Sequence, residues 1–123
     1  MSGIAENKKL VCVIGLGYVG LPLAIELSEV YKTTGYDINK KRIDQLKKFN
    51  DTTNEVDPQR LKVSKINYTN NVTEIADYDY YIVTVPTPVD SSDSPNLDPL
   101  KNASKLIGES IKEGSIVIYE STV

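Results

Sequence analysis

The chain has 123 residues, which is enough for one domain with one hydrophobic core. Hydrophobic residues make up 40% of the sequence and charged residues 25%, as in an ordinary globular protein. The formal net charge of −3 argues against a nucleic-acid partner, because nucleic-acid-binding domains carry clustered positive charge. The sequence contains no histidine, which removes the commonest metal ligand and general base, and we predict no metal site.

The amino-terminal segment carries no targeting signal that we can identify. Residues 1–9 lack the apolar core of a signal peptide, and no apolar run approaches the roughly 20 residues that span a bilayer. We therefore expect a cytoplasmic protein without a membrane partner. The single cysteine, Cys12, excludes an intrachain disulfide, and its place in an apolar run predicts a small buried hydrophobic residue.

A short apolar run at residues 11–14 is followed by three spaced glycines, Gly15, Gly17 and Gly20. The run predicts a buried parallel strand, and the G-x-G-x-x-G spacing predicts a turn that leads into a helix. In such a turn Gly15 makes the tight bend, Gly17 lets the backbone approach a pyrophosphate, and Gly20 lets helix and strand pack closely. The helix start supplies N–H groups and a positive dipole end to the pyrophosphate.

A second feature, Asp37, ends the next predicted strand at residues 33–37 and lies 17 positions after Gly20. A carboxylate some 20 residues beyond the glycines accepts hydrogen bonds from the adenosine ribose hydroxyls of NAD. The following helix has Asn39 as its predicted N-cap and three basic residues, 40–42, in its first turn. Either the two lysines form a solvated basic face, or one of the three cations covers the adenosine end of a dinucleotide. Because Asp37 would repel a 2′-phosphate, we expect NAD rather than NADP.

The remaining segments alternate between helices and strands. They comprise a short helix from Asp57-Pro58, a strand at 66–69, a helix or turn within 71–79, a strand at 80–85, a polar loop at 89–97, a helix from Asp98-Pro99 to Gly114 and a strand at 115–119. With right-handed crossovers, this alternation predicts an α/β fold, a Rossmann-type doubly wound parallel sheet of order 3-2-1-4-5. We interpret residues 1–123 as a single NAD-binding domain, the N-terminal fragment of a longer protein truncated before a sixth strand.

Two predicted helices carry apolar stripes that should face the core. In the helix after Asn39 the stripe is Ile43, Leu46 and Phe49. In the last helix it comprises Leu100, Ala103, Leu106, Ile107 and Ile111.

Four stretches of sequence together carry a family resemblance. They are GLGYVGLPLA after the first strand, GYDINKKRI at the second, TVPTPVD after the fourth and IVIYESTV at the fifth. They resemble the amino-terminal NAD-binding domain of the UDP-glucose/GDP-mannose dehydrogenases, and within that family the branch that acts on UDP-N-acetylhexosamines in polysaccharide synthesis. The resemblance extends from about Lys9 to Val123.

The resemblance implies roles for the residues of the glycine turn. Gly15, Gly17 and Gly20 would form the pyrophosphate turn, and Tyr18 and Val19 would present their backbone amides to the phosphates. These five residues are the predicted phosphate-binding part of the cofactor site.

The resemblance also implies roles further along the chain. Asp37 would hold the adenosine ribose with Arg42 beside it, and Thr87 would contact the cofactor on the nicotinamide side. Thr122 would lie near the reacting centre and support catalysis by positioning water or cofactor.

Enzymes of this family oxidise the C6 alcohol of a UDP-sugar to a carboxylate with two NAD⁺, through a covalent adduct on a cysteine nucleophile. The resemblance places that cysteine and its partner lysine beyond residue 123, and Cys12 cannot replace it from within a strand. We therefore expect a fragment that binds NAD without turnover. The nucleotide-sugar substrate would bind through the missing part, the parent would be a homodimer, and the fragment would be a monomer.

Two other functions fit parts of the same pattern. A standalone NAD(H)-sensing Rossmann regulatory domain would share the length, the glycine spacing and the acid, but it gives no reason for the VPTP and ESTV stretches. Another dehydrogenase class with the same half-fold, such as a hydroxyacid dehydrogenase, is the second alternative.

Overall fold

The structure is a computed structural model, and it describes residues 9–89 and 92–120. The strands are β1 (Leu10–Ile14), β2 (Lys32–Tyr36), β3 (Asn67–Thr69), β4 (Tyr80–Val83) and β5 (Ile116–Tyr119). The α-helices are α1 (Gly20–Ser28), α2 (Lys40–Lys47), α3 (Pro58–Val63) and α4 (Asp98–Ser110), and a 3₁₀ helix spans Val72–Ile75. Within the described residues, no helix is both long and apolar enough to cross a membrane.

The strands form one parallel sheet in the order β3-β2-β1-β4-β5, which confirms the predicted topology. β1 lies at the centre, where Cys12 is paired with Thr34 of β2 on one side and with Tyr81 of β4 on the other. The chain leaves β1 toward β2 and β3, and later returns to the opposite side for β4 and β5. The crevice outside the carboxyl ends of β1 and β4 is therefore the topological switch point, where ligands bind in open α/β sheets.

Two hydrophobic cores cover the two faces of the sheet, because successive residues of a strand point to opposite faces. Val13 faces the core built by α1, α2 and α3, which we call the three-helix core. Its buried residues are Val13, Leu16, Leu21, Ala24, Ile25, Ile43, Leu46, Val56, Leu61 and Tyr68. Cys12 and Ile14 face the other, which we call the α4 core. Its buried residues are Cys12, Ile14, Tyr36, Ile75, Tyr81, Val83, Ala103 and Ile107.

Several helix signals act as predicted. The Asn39 side chain accepts a hydrogen bond from the Arg42 peptide N–H at 3.2 Å and caps α2. The Asp57 carboxylate caps α3, with Pro58 in its first turn. Phe49 differs from the prediction: α2 ends at Lys47, and Phe49 lies beyond it with φ of 62° and its side chain 39% exposed.

The helix α4 begins at Asp98 with Pro99 in its first turn, as predicted, and the Asp98 peptide N–H donates to the Asn96 side chain at 3.0 Å. Its carboxyl end differs from the prediction. The helix ends at Ser110, after which Ile111 is extended and 40% exposed. Gly114, the predicted terminator, instead occupies the turn before β5 with φ of 89°.

Candidate functional site

A cavity of about 560 Å³ opens at the carboxyl ends of the central strands. Its walls come from the glycine turn after β1, the end of β2, the start of α2, the loop at Thr53, the segment after β4 and the first turns of α4. Its position matches the switch point of the sheet, and its size is typical of small-molecule and cofactor sites.

The glycine turn packs directly against the end of β4. Gly15 has φ of +101°, and a Cβ there would lie 2.9 Å from the Val85 peptide nitrogen. A Cβ at Gly20 would overlap the Gly15 carbonyl oxygen and the Thr84 hydroxyl. That hydroxyl donates to the Gly15 carbonyl at 2.6 Å, which joins the turn to β4. The predicted tight bend at Gly15 and close packing at Gly20 are therefore both present.

Gly17 differs from its two neighbours, because a Cβ there would meet no atom of the described protein within 4 Å. Its backbone is also outside the left-handed region that favours glycine. Neither packing nor conformation within the domain therefore requires glycine at this position, although Gly17 lines the cavity. The absence of a side chain at Gly17 leaves room for a dinucleotide pyrophosphate to approach the backbone closely.

Asp37 follows β2 and lines the cavity beside the glycine turn. One carboxylate oxygen accepts a hydrogen bond from the Leu16 peptide N–H at 2.9 Å, and the other accepts from the Asn39 peptide N–H at 2.9 Å. Each carboxylate oxygen has further lone pairs, so the group can accept hydrogen bonds from a ligand as well. The structure thus brings Asp37 and the glycine turn together, as the sequence predicts.

Arg42 also lines the cavity, but its side chain is only 9% exposed and belongs to no solvated basic face. Its Nε donates to the Leu16 carbonyl at 2.7 Å, and its Nη1 pairs with the Asp51 carboxylate at 2.8 Å. The third nitrogen, Nη2, is buried and has no hydrogen-bond partner among the described residues. The neighbouring Lys40 is the solvated cation, exposed and paired with Asp44.

Asp51 organises the loop that reaches the cavity at Thr53. One of its oxygens accepts from Arg42 and from both the peptide N–H and the hydroxyl of Thr53, and the other accepts from the peptide N–H groups of Glu55 and Val56. Burial by itself raises the pKa of the Asp51 carboxyl. Hydrogen bonds from Thr53, Arg42 and Val56 outweigh that effect and lower the pKa to about 2.

Other predicted site residues lie at the margin of the cavity or outside the described chain. Tyr18 and Val19 form the exposed tip of the glycine turn, with side chains 68% and 56% exposed. Thr87 is half-buried, one residue beyond Pro86, which lines the cavity. Thr122 falls outside the described residues, and its role stays a prediction.

Sequence reasoning missed residues that build the site without belonging to a motif. Asp51 and Thr53 lie in a polar stretch, and Thr84 lies inside a predicted strand. The sequence signal that could have identified Thr84 is its position at the carboxyl end of the apolar strand, just before Pro86 and Pro88. Asn102, which lines the cavity from α4, has no distinctive sequence signal.

Cys12 lies in β1, on the face that packs on the α4 core, and is 0% exposed, which confirms the predicted buried hydrophobic role. Burial raises the pKa of its thiol far above the ordinary value. Across residues 9–89 and 92–120, no group of three or more Cys, Asp or Glu side chains is arranged to hold a metal ion.

Comparison with known proteins identifies a family for this arrangement. Residues 9–123 match the model described as the UDP-glucose/GDP-mannose dehydrogenase family, NAD binding domain. The match covers the strands, the helices and the whole cavity described above.

Curated relatives include dehydrogenases of N-acetylated UDP-sugars. The chain is 49% identical over 114 residues to a UDP-N-acetyl-D-glucosamine 6-dehydrogenase of Pseudomonas aeruginosa, covering 92% of this chain and 27% of that protein. It is 43% identical over 124 residues to a UDP-N-acetyl-D-glucosamine 6-dehydrogenase of Salmonella typhi, covering 100% of this chain and 29% of that protein. The chain therefore spans less than a third of the length of these relatives.

A solved structure shares the architecture. A UDP-D-ManNAc dehydrogenase from Pyrococcus horikoshii superposes with a TM-score of 0.85 at 33% identity, covering 93% of this chain and 28% of that one. The fold described above is therefore shared with a solved structure over most of this chain.

Proposed function

Because the chain belongs to the UDP-glucose/GDP-mannose dehydrogenase family as its NAD-binding domain, we propose that NAD binds in the cavity between the glycine turn and α4. The observation that carries this proposal is the contrast among the glycines. Gly15 and Gly20 are required by packing, whereas a Cβ at Gly17 would meet no protein atom within 4 Å and Gly17 lines the cavity. The pyrophosphate would lie over Gly17, within reach of the backbone amides of Tyr18 and Val19.

In this proposal the adenosine ribose lies at Asp37. Its carboxylate already holds the Leu16 peptide N–H, so it is fixed in place before any ligand arrives. Two ribose hydroxyls can donate to the remaining lone pairs, whereas a 2′-phosphate would meet a carboxylate of the same charge sign. The negative charge of Asp37 therefore favours NAD over NADP.

Arg42, Thr87 and Thr122 complete the proposed cofactor site. Arg42 lines the cavity and holds the Leu16 carbonyl and thereby the glycine turn, and its Nη2 is buried. Thr87 follows Pro86 in the segment after β4, on the side where the nicotinamide would lie. Thr122 would support catalysis there. When bound, NAD⁺ supplies a hydride acceptor, and the residues of this chain hold and orient it.

We further propose that the whole protein is an NAD-dependent UDP-sugar 6-dehydrogenase acting on an N-acetylated UDP-hexosamine. The names of the relatives support this substrate class. Its catalytic cysteine and lysine, and its contacts to the nucleotide sugar, would lie outside residues 1–123. We also propose a cytoplasmic homodimer for the whole protein and a monomer for this single domain, which sedimentation analysis would test. The alternative of a standalone NAD(H)-sensing regulatory domain gains no support from the comparisons.

Calorimetric titration of the chain with NAD⁺, NADH and NADP⁺ tests the cofactor proposal. We expect saturable NAD⁺ and NADH binding and clearly weaker NADP⁺ binding. Asp37→Ala should weaken NAD⁺ binding roughly tenfold or more, because hydrogen bonds to a charged group are lost. The preference of the domain for NAD⁺ over NADP⁺ should become smaller. Asp44→Ala, which removes an exposed carboxylate from α2, is the matched control and should bind like the wild type.

Unchanged affinities for both cofactors in Asp37→Ala would contradict the role of Asp37. For the whole protein, NADH formation with UDP-N-acetylglucosamine, UDP-N-acetylmannosamine and UDP-glucose is the corresponding test. Turnover confined to UDP-glucose would contradict the proposed substrate class.

A further inference from the structure

The loop at residues 51–56 is folded around a single buried carboxylate. The Asp51 side chain is 0% exposed. Its Oδ1 accepts hydrogen bonds from Arg42 and Thr53, and its Oδ2 accepts from the two peptide N–H groups of Glu55 and Val56. A buried carboxylate is stable only when it is paired and hydrogen-bonded, so Arg42 and the loop depend on each other.

A continuous set of polar contacts leads from this carboxylate to the glycine turn. Arg42 donates through Nη1 to Asp51 at 2.8 Å and through Nε to the Leu16 carbonyl at 2.7 Å. The peptide N–H of the same Leu16 donates to Asp37 at 2.9 Å. Both polar groups of the residue between Gly15 and Gly17 are therefore held by side chains outside the turn.

The geometry of the guanidinium group explains why Asp51 is needed. Its nitrogens lie in one rigid plane, so fixing Nε and Nη1 also fixes Nη2. Nη2 is buried without a partner among the described residues, and the side chain lines the cavity. Unsatisfied buried donors are rare in folded proteins and point to a functional constraint.

We infer that Asp51 is a positioning residue for the adenosine end of the cofactor site, acting through Arg42. This inference rests on the proposed function. Asp51 itself is buried and is not among the residues that line the cavity. It sets the plane of the guanidinium group, which in turn sets the position of the Leu16 peptide between the pyrophosphate turn and Asp37.

The inference differs from a purely structural role for the ion pair. A purely structural ion pair would change the melting temperature of the domain. It would leave the ligand affinity of the folded state unchanged, or would change that affinity by the same factor for every ligand. A positioning residue at the adenosine end changes affinity for ligands that carry that end.

The test is a double-mutant cycle with Asp51→Asn, Arg42→Met and the double variant, titrated with NAD⁺, ADP-ribose and nicotinamide mononucleotide. Thermal denaturation identifies a temperature at which each variant is folded. We expect Asp51→Asn to weaken NAD⁺ and ADP-ribose by a similar factor, roughly tenfold, and to leave nicotinamide mononucleotide unchanged. In the Arg42→Met background, Asp51→Asn should cause no further loss. Asp44→Asn, an equal change of charge on α2, should bind like the wild type.

If Asp51→Asn alone does not fold, the double variant still tests the inference. Its affinity for ADP-ribose must then equal that of Arg42→Met. Wild-type affinity for ADP-ribose in a folded Asp51→Asn chain would overturn the inference while leaving the proposed function intact. Losses that add fully in the double variant would overturn it as well. A wild-type chain that binds none of the three ligands would overturn the proposed function, and the inference with it.

Discussion

The two strands at β1 and β5 are both parallel members of the same sheet, yet they are built differently. Residues 11–14 of β1 are at most 2% exposed, with β2 and β4 on either side and a core on each face. β5 pairs with β4, and within the described residues it has no strand on its other edge. Its Ile116, Ile118 and Tyr119 side chains are 50%, 37% and 52% exposed.

This difference extends to the ends of the strands. The turn after β1 is fixed by Thr84, Asp37 and Arg42, which all form hydrogen bonds to its backbone. The contacts of Tyr119 in β5 include an exposed hydrogen bond to Ser104 at 2.9 Å. We conclude that the side of the cavity at which we propose that the pyrophosphate and adenosine bind is organised by contacts within this chain. Substitutions there should affect stability or cofactor binding much more than substitutions in β5.

The largest expected effect is that of Gly20→Ala. The new Cβ would overlap the Gly15 carbonyl oxygen and the Thr84 hydroxyl, so the turn and α1 must separate. We expect a loss at or above the upper end of the roughly 1–3 kcal/mol typical of overpacking, measured by urea denaturation. Gly108→Ala, an open helical position in α4, is the control and should slightly stabilise the domain. Equal stability of the two variants would contradict the described packing.

The second prediction concerns acid. Because the pKa of Asp51 is about 2 in the folded chain and 3.8 ordinarily, the unfolded chain binds the proton more readily. The stability from this carboxylate is present above about pH 4 and is lost as the pH falls toward about 2. The melting temperature of the wild type should therefore approach that of Asp51→Asn across this window. A constant difference between the two from neutral pH to about pH 2 would contradict the prediction.

A smaller change in the free energy of unfolding is expected for Cys12→Ser, because Cys12 lies on the face of β1 that packs on the α4 core. Cys12→Ser places a hydroxyl in the α4 core, at a cost of roughly 1–3 kcal/mol, and should leave NAD affinity unchanged. Because burial raises the pKa of the thiol, the native chain should not react with a thiol reagent until it is denatured. Large loss of NAD binding at an unchanged melting temperature would contradict this placement of Cys12.

The smallest effect should come from Tyr119→Phe in β5. The change removes an exposed hydrogen bond to Ser104 and no buried contact of the hydroxyl. We expect a change within about 0.5 kcal/mol in the free energy of unfolding. A loss as large as that of Cys12→Ser would show that β5 is as tightly integrated as β1.

The strands and helices could be predicted from the sequence because the evidence for each is local, and the rule of right-handed crossovers then gives the sheet order. Apolar runs, the glycine spacing and the caps at Asn39 and Asp57 each act within a few residues. The error at Phe49 is also local: the position fits a helical pattern, but its backbone adopts the left-handed conformation.

The polar network of the site could not be predicted in the same way. Arg42 has the pattern of a solvated first-turn cation, and nothing near it in sequence indicates a buried partner nine residues later at Asp51. Thr84 joins the Gly15 carbonyl across 69 residues. Such contacts depend on the packing of β1, β4 and α2, which only the folded chain defines.

The most direct test of the account is calorimetric titration of Gly17→Ala with NAD⁺, beside the wild type and Gly108→Ala. A Cβ at either position meets no protein atom within 4 Å, so both variants should fold like the wild type or slightly better. If the pyrophosphate lies over Gly17, that variant alone should lose NAD⁺ affinity, by roughly tenfold or more for a misfit of one methyl group. Equal NAD⁺ affinity in all three chains would contradict the placement of the cofactor over the glycine turn.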